Sequence, residues 1–337
     1  MKENTKNSSL LSRWKNRETK ESTSLQIPKA PIDANIPLSY GQQRIWFLQQ
    51  LYRDNPFYNY SEAITFGGEL DIEILKESLD YIFQQNQVLS TYYPTVHGMP
   101  VIKVDKAIPV LKVYDLSNFT EIEAKKEAEV LMKKQSSLPF NLSKPGLVRV
   151  SLFKYSKSRH ILFFTMHHIV IDEWSIDILK QQIAEAYLKL LAGEPLVPSL
   201  KALQYSDFAH WERNTSLDAE QLRYWKKELS GDIPILNLQT DASRPARPAF
   251  KGKQQALQLD SNFSASVLSA SKQMATTPFV FLLTTYYVFL HKYTGQSDIL
   301  VGTPITNRAT QSLEKVLGFF INTVVLRNTI KDDTSFS

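Results

Sequence analysis

The sequence predicts a mixed α/β protein built from two lobes. At 337 residues with 43% hydrophobic residues, the chain is long enough for two separate cores. Apolar residues at helical spacing alternate along it with short strand-like apolar runs. The segment from Ser230 to Gly252 contains prolines and shows little periodicity, so it is predicted to be a crossover. We therefore expect an N-terminal lobe over residues 36–200 and a C-terminal lobe over 201–337.

Residues 1–35 are predicted to form a flexible tail. They are rich in Ser, Thr, Asn and Lys and carry seven basic and four acidic residues, a composition that buries little apolar surface. Within the tail, Leu10, Leu11 and Trp14 fall at helical spacing. A short amphipathic helix that docks a partner and an unstructured linker both remain open for this segment.

The first lobe should begin with a helix capped by Ser39, because apolar residues follow it at three-residue steps at Ile45, Leu48 and Leu51. The other early elements predicted for this lobe are a helix from Asp71 to Gln87, strands at Met99 to Val104 and Leu147 to Lys154, and a charged surface helix from Thr120 to Gln135.

A strand, a loop and a helix follow in that order. The run from Ile161 to Met166 is apolar except for Thr165 and has no helical polarity pattern, which predicts a strand buried on both faces. A helix is predicted from Trp174 to Leu191, with Gly193 as its stop signal. Polar groups that do chemistry are often displayed on such a loop between two rigid elements.

The second lobe is predicted to contain two helices followed by two strands. Pro278 suits a first helical turn and Gly295 suits a helix end. The elements predicted here are helices from Ser264 to Met274 and Pro278 to Tyr293, and strands from Asp298 to Gly302 and Phe319 to Leu326.

Composition excludes several classes of protein. The chain has no cysteine, which excludes disulfides, thiolate zinc sites and a cysteine nucleophile. Its net charge of +5 lies mostly in the tail, and no basic run is interleaved with aromatics, so nucleic-acid binding is not expected. The N-terminus lacks a signal-peptide pattern, and the longest apolar stretch, Phe279 to Leu290, is shorter than the roughly 20 residues of a membrane span. We expect a soluble cytoplasmic protein.

The candidate catalytic motif is the sequence HHIVID, in which His167, His168 and Asp172 follow the buried strand. An imidazole can accept or relay a proton from an attacking amine near neutral pH. A carboxylate within reach can orient the ring or fix the loop. In the structural alternative, one ring is hydrogen-bonded in the core and Asp172 only caps the next helix. Zinc binding is less favoured without HExxH, and a hydrolase is less favoured without G-x-S-x-G.

In four ordered segments the chain resembles the condensation domains of nonribosomal peptide synthetases. The segments are Ser39 to Leu48, HHIVID, Tyr205 to Trp211, and Val301 to Arg308 continued by Leu317 to Arg327. The resemblance implies two chloramphenicol-acetyltransferase-like lobes arranged in a V. It implies a reaction in which the amine of an acceptor aminoacyl thioester attacks the carbonyl of a donor thioester to form an amide.

The resemblance also implies roles and partners. His168 positions the amine or transfers its proton, His167 supports the structure, and Asp172 holds the loop with Arg308. Glu173, Trp174 and Ser175 complete the motif as supporting residues. No metal or bound cofactor is expected, because both substrates arrive on phosphopantetheine arms of upstream and downstream carrier domains. An adenylation domain is expected downstream.

At two positions the chain departs from the family pattern, and both departures bear on whether the full condensation activity is expected. Ser90 stands where an arginine is usual, and Glu173 stands where a glycine is usual, so the donor channel could be narrowed. The alternatives are a non-catalytic carrier-binding module and a stand-alone acyltransferase that uses coenzyme A thioesters. Epimerisation and heterocyclisation domains fit the motifs less well, since heterocyclisation domains carry aspartates in place of the histidine pair.

The second lobe is expected to be incomplete. Its last predicted strand ends at Leu326, about ten residues before Ser337, and the resemblance implies two further motifs that help close this lobe. The 337-residue chain is therefore expected to be truncated, to self-associate through an uncovered sheet, and to be less active than a longer natural form.

Overall fold

The computed structural model describes residues 27–31, 35–198, 202–216, 218–243, 252–331 and 335–336, with the single residues 245, 250 and 333. The chain divides into two compact units. Unit 1 comprises residues 1–216 and 306–321, and unit 2 comprises residues 217–305 and 322–337. Both contain helices and strands, which confirms the predicted mixed α/β class.

A smaller sheet of unit 1 contains the strands β1 (Ile36–Pro37), β3 (Thr91–Tyr92), β4 (Thr95–Val96) and β5 (Met99–Val104). Strand β5 pairs antiparallel with each of the other three.

The main sheet of unit 1 contains the strands β2 (Asn59–Gly67), β6 (Leu111–Asp115), β7 (Val148–Ser156) and β8 (Arg159–His167). Their order across the sheet is β2-β8-β7-β6. Strand β8 is antiparallel to both of its neighbours, whereas β6 and β7 are parallel.

Unit 1 contains the helices α1 (Tyr40–Leu51), α2 (Ile72–Gln85), α3 (Glu121–Ser137), α4 (Glu173–Leu191) and α5 (Tyr205–Asn214). Side chains of Ser39, Asp71, Thr120 and Asp172 accept backbone hydrogen bonds at the starts of α1 to α4, which satisfies donors that a helix leaves unpaired. The predicted helix start at Ser39 is confirmed.

The residues of β8 alternate between two apolar clusters. Leu162, Phe164 and Met166 belong to the main core, which α2 and α4 share. Phe163 lies in a second cluster with Ala124 and Ala128 of α3. This arrangement confirms the predicted strand buried on both faces and explains its lack of polar alternation.

In unit 2, strands β9 (Asp298–Thr306) and β10 (Ile321–Thr329) pair. Its helices are α6 (Ala219–Glu228), α7 (Ser261–Gln273) and α8 (Pro278–Thr294). Pro278 occupies the first turn of α8, and Gly295 ends it with a left-handed φ of 70°, as predicted.

The division into units differs from the predicted boundary at residue 200. Helix α5 belongs to unit 1 because Tyr205 and Phe208 are buried in its main core, where their rings contact Phe320. Residues 306–321 therefore return to unit 1. The proposed helix at Leu10, Leu11 and Trp14 lies outside the described residues. Within the expected tail, Lys29 and Ala30 are hydrogen-bonded to the Asp207 carboxylate.

Across the part of the chain that the structure describes, no single helix is long and apolar enough to cross a membrane. Helices α7 and α8 together reach the required length and composition, but a 98° bend separates them.

Candidate active site

The HHIVID motif forms the loop between β8 and α4, in unit 1. The His168 amide donates to the Tyr58 carbonyl at 2.8 Å, so the pairing of β8 with β2 continues into the motif. The buried Gln42 side chain donates to the Ile169 carbonyl at 3.0 Å and to the Tyr93 hydroxyl at 2.9 Å. The loop is thus held by the residue that precedes β2 on one side and by α1 on the other.

His167 is buried, and both of its ring nitrogens are hydrogen-bonded. Its Nδ1 accepts from the Ile169 amide at 3.1 Å, so its Nε2 carries the proton and donates to Gln49 Oε1 at 3.4 Å. Burial, reinforced by the neighbouring His168 ring, lowers the pKa of His167 to about 3. His167 is therefore neutral at physiological pH, and it presents no charge to an imidazolium that forms on His168.

His168 is half-buried and holds its ring in the opposite tautomer. Because a carbonyl oxygen can only accept, the 2.7 Å bond to the Ile171 carbonyl places the proton on Nδ1. In the neutral ring, Nε2 then carries the free lone pair. The part of the chain that the structure describes offers Nε2 no hydrogen-bond partner, which leaves this atom available to a substrate proton.

The Asp172 carboxylate is 1% exposed and joins three segments. Its Oδ1 accepts from the Ser175 amide at 2.8 Å and thereby caps α4. Its Oδ2 accepts from the Phe320 amide at 2.9 Å. The Arg308 guanidinium lies 3.4 Å from Oδ1. The capping role of the structural alternative and the ion pair implied by the resemblance are therefore both present.

Arg308 is held mainly by neutral acceptors. Its side chain is 3% exposed. It donates to the carbonyls of Leu313 at 2.5 Å and Val316 at 2.8 Å and to Ser175 Oγ at 2.7 Å, and it stacks over the Phe320 ring. Burial lowers the pKa of Arg308, and the Asp172 charge opposes that shift. The guanidinium fastens the 308–320 segment to the start of α4.

Ser175 is buried and uses its full hydrogen-bonding capacity. Its Oγ donates to the Gly318 carbonyl at 2.9 Å and accepts from the Gly318 amide at 3.1 Å, in addition to the bond from Arg308. This position needs a small hydroxyl side chain, and Ser175 fixes the backbone immediately before Phe319.

Gly318 gives a testable consequence of this packing. A Cβ built at Gly318 would lie 1.8 Å from Tyr205 Cδ2. We expect Gly318→Ala to lower the free energy of unfolding by about 1–3 kcal/mol, since the Tyr205 ring must move. Urea denaturation measures this loss. Gly67→Ala is the matched control, because a Cβ there meets nothing within 4 Å, and an equal loss in both variants would contradict the prediction.

Glu173 and Trp174 occupy the first turn of α4 and are exposed. The Trp174 indole donates to the Glu314 carbonyl at 3.3 Å. The charge of Glu173 lies close enough to Tyr60 to contribute to the raised pKa of that phenol. The structure therefore joins Asp172, Ser175 and Arg308 by hydrogen bonds. The rings of His167 and His168 are bonded within the preceding loop and to Gln49, and Glu173 and Trp174 lie at the exposed start of α4.

Several residues around the histidine pair were not singled out as site residues from the sequence, although Gln42 and Phe319 lie in the segments that carry the resemblance. They share contacts with the two rings or the loop, and they are Gln42, Gln49, Tyr58, Tyr60, Phe140 and Phe319. Tyr60 had a usable signal, because Tyr60, Ile64 and Phe66 follow strand periodicity. Gln49 and Phe140 had none, since their contacts are distant in sequence.

Within the described residues, no group of three or more His, Asp or Glu side chains is arranged to hold a metal ion.

The family model for the condensation domain matches residues 32–337. Among curated proteins, the chain is 36% identical over 334 residues to one of the linear gramicidin synthase proteins and 35% identical over 309 residues to tyrocidine synthase 3, both of Brevibacillus parabrevis. These matches cover 97% and 91% of this chain but only 6% and 5% of the relatives. The chain thus spans a small part of the proteins it resembles.

Solved structures show the same fold. The X-domain from teicoplanin biosynthesis has a TM-score of 0.81 at 25% identity, covering 92% of this chain and 69% of that chain. The first condensation domain of the calcium-dependent antibiotic synthetase, in complex with a substrate analogue, has a TM-score of 0.74 at 23% identity, covering 90% and 71%. The expected chloramphenicol-acetyltransferase-like fold is thereby supported.

Proposed function

The chain belongs to the condensation-domain family, and we propose that it forms an amide bond between two acyl groups carried by partner domains. The observation that carries the proposal is the state of His168, whose Nδ1 proton is bound to the Ile171 carbonyl and whose Nε2 is available. A ring fixed in this tautomer suits a group that accepts a proton from an attacking amine.

The proposed reaction proceeds by attack on a thioester. The acceptor amine forms a C–N bond to the donor carbonyl carbon, and one of its protons passes to His168 Nε2. The C–S bond then breaks, and the donor thiolate leaves and recovers the proton. His168 thus ends each cycle neutral, and the amide product remains on the acceptor arm.

The remaining site residues act by holding His168 in place. Asp172 ties the loop to α4 and to the Phe320 amide. Arg308 and Ser175 fix the segment that carries Phe319, whose ring lies 5.6 Å from that of His168. His167 anchors the loop from within the core while remaining uncharged.

The proposed substrates are thioesters on the phosphopantetheine arms of an upstream donor carrier and a downstream acceptor carrier. The curated relatives are many times longer than this chain, which leaves room for such domains. We propose an adenylation domain downstream and a cytoplasmic location. No cofactor of its own is needed, because the reacting carbonyl is already activated as a thioester.

A comparison of acceptors tests the proposal against its rivals. In two of the reactions, the chain is mixed with a loaded donor carrier and with either an aminoacyl group on an acceptor carrier or a free amine. In the third reaction, a coenzyme A thioester is the donor and a small alcohol is the acceptor. We expect the carrier-bound amine to react fastest. Faster reaction with the alcohol would favour a stand-alone acyltransferase. Binding of both carriers without reaction would favour a non-catalytic binding module. One of the similar solved structures is a complex of the teicoplanin X-domain with a partner protein, OxyB.

Glu173 is expected to restrict the site. Its exposed carboxylate occupies the position next to Asp172 where the family usually has glycine. We expect Glu173→Gly to raise turnover or to widen the range of accepted donors, as measured with carriers bearing small and bulky acyl groups. Glu173→Gln separates charge from size. If Glu173→Gly changes neither rate nor range, the side chain points away from the channel.

A further inference from the structure

The His168 imidazole is held between two aromatic rings from distant parts of the chain. Its centroid lies 5.6 Å from the Tyr60 ring at an interplanar angle of 59°. It also lies 5.6 Å from the Phe319 ring at 75°. The hydrogen bond from Nδ1 to the Ile171 carbonyl fixes one atom of the imidazole, but a single bond still permits the ring to pivot. The two flanking rings oppose that pivot.

Tyr60 is brought to His168 by the pairing of β2 with β8. In this register Tyr60 faces Met166, and Asn59 faces His167. Side chains alternate along a strand, so Tyr60 shares its face with Glu62, Ile64 and Phe66. Tyr60, Ile64 and Phe66 pack on the main core. The strand that places Tyr60 is therefore packed against the main core of unit 1.

The far end of the Tyr60 side chain is also fixed. Its hydroxyl donates to Glu62 Oε2 at 3.1 Å. Glu62 Oε1 lies 2.5 Å from Lys180 Nζ, and the same ammonium lies 3.6 Å from Asp177. Lys180 and Asp177 belong to α4, the helix that Asp172 caps. Tyr60 thus links the sheet to the helix that follows the catalytic loop.

The protonation state of Tyr60 suits this role. Burial, followed by the negative charges of Glu62, Glu173 and Asp177, raises the pKa of the Tyr60 phenol to about 12. The hydroxyl is therefore a hydrogen-bond donor throughout the physiological range, and the link to Glu62 persists.

We propose that Tyr60 is a positioning residue for His168, acting with Phe319 to hold the imidazole so that Nε2 is aimed at the substrate amine. This inference rests on the proposed function only in naming the amine as the target. The orientation of the ring is a property of the free protein and can be measured without any substrate.

A kinetic experiment separates positioning from general packing. Tyr60→Leu removes the aromatic ring and keeps apolar volume, whereas Tyr60→Phe keeps the ring and removes the hydroxyl. Tyr81→Leu is the matched control, because Tyr81 also packs on the main core and donates its hydroxyl to a carbonyl, that of Val197 at 3.0 Å. The three variants are assayed for amide formation with two loaded carriers, in the full natural polypeptide.

We expect Tyr60→Leu to lower kcat by up to about 10²-fold, the scale of a misplaced catalytic group, with the KM for the acceptor carrier little changed. Tyr60→Phe should retain most of the wild-type kcat, and Tyr81→Leu should retain all of it. If Tyr60→Leu does not fold, Tyr60→Ile replaces it, since a β-branched residue suits a strand. Wild-type kcat in the folded ring-deleted variant, or an equal fall in Tyr81→Leu, would overturn the proposal.

The second readout is the 15N spectrum of the His168 ring, assigned by its loss in His168→Gln. In the wild type we expect one tautomer with the proton on Nδ1. In Tyr60→Leu we expect averaging between tautomers or line broadening. An unchanged spectrum would refute the positioning role whether or not the chain forms amides. A changed spectrum in a chain that forms no amide would refute the proposed function and leave the positioning role intact.

Discussion

Replacing His168 by alanine is expected to lower the rate of amide formation by about 10²–10⁴-fold, the usual contribution of a positioned general base. The reason is local. His168 Nε2 is the free ring nitrogen of the histidine pair, because Nδ1 is bound to Ile171, and both nitrogens of His167 are hydrogen-bonded within the loop or to Gln49. His167 cannot take over the role, since burial keeps its pKa at about 3. The measurement is single-turnover transfer between two loaded carriers.

The control for this prediction is a second histidine changed in the same way. His168→Asn is made alongside His168→Ala and is compared with His97→Asn, because His97 is exposed in a turn with a φ of 49°, a conformation that asparagine tolerates. Thermal unfolding of all three variants verifies that they fold. A folded His168→Ala protein with wild-type turnover would remove His168 from the mechanism.

Replacing Asp172 by alanine is expected to cost both stability and activity. The change leaves the Arg308 charge buried without its partner, a loss of about 3–5 kcal/mol for a buried pair. It also removes the acceptor for the Phe320 amide and the cap of α4. The carbonyls of Leu313 and Val316 still accept hydrogen bonds from Arg308, so we expect the loss in the free energy of unfolding to lie toward the lower end of that range. Chemical denaturation measures it.

An exposed ion pair provides the comparison. Asp115 lies 2.9 Å from Lys154, but its side chain is 51% exposed, and such pairs contribute about 0–1 kcal/mol. Asp172→Asn tests the charge separately, since an amide oxygen can still accept from the Ser175 or Phe320 amide. If Asp172→Ala and Asp115→Ala cost the same, the Asp172–Arg308 pair is not a stabilising element.

The local parts of the fold were predictable from sequence, and the pairing of distant segments was not. Helix α4 and strand β8 were predicted because their apolar residues follow helical spacing or form an unbroken buried run. Strand β2 was missed because Glu62 interrupts its apolar alternation, although its face reads Tyr60, Ile64 and Phe66. Strand β6 was missed because it is short, and its parallel pairing with β7 depends on contacts distant in sequence.

In the candidate site, too, the local motif was predictable from sequence and the contacts between distant segments were not. The HHIVID loop was identified from its residues and from its place after a buried strand. The two tautomers follow from single hydrogen bonds to Ile169 and Ile171, which no sequence pattern encodes. The proximity of Asp172 and Arg308, 136 residues apart, was implied by family resemblance alone. The contact between the Tyr205 and Phe320 rings could not be read from either segment separately.

The most direct test of the central claim is the intact mass of both carriers after one turnover with the wild-type chain in its full natural polypeptide. If the chain forms the amide, the acceptor carrier gains the mass of the donor acyl group, the donor carrier returns to its free thiol, and cleavage of the acceptor thioester releases the condensed product. The claim is contradicted if the donor carrier keeps its acyl group or loses it to water while the mass of the acceptor carrier stays unchanged.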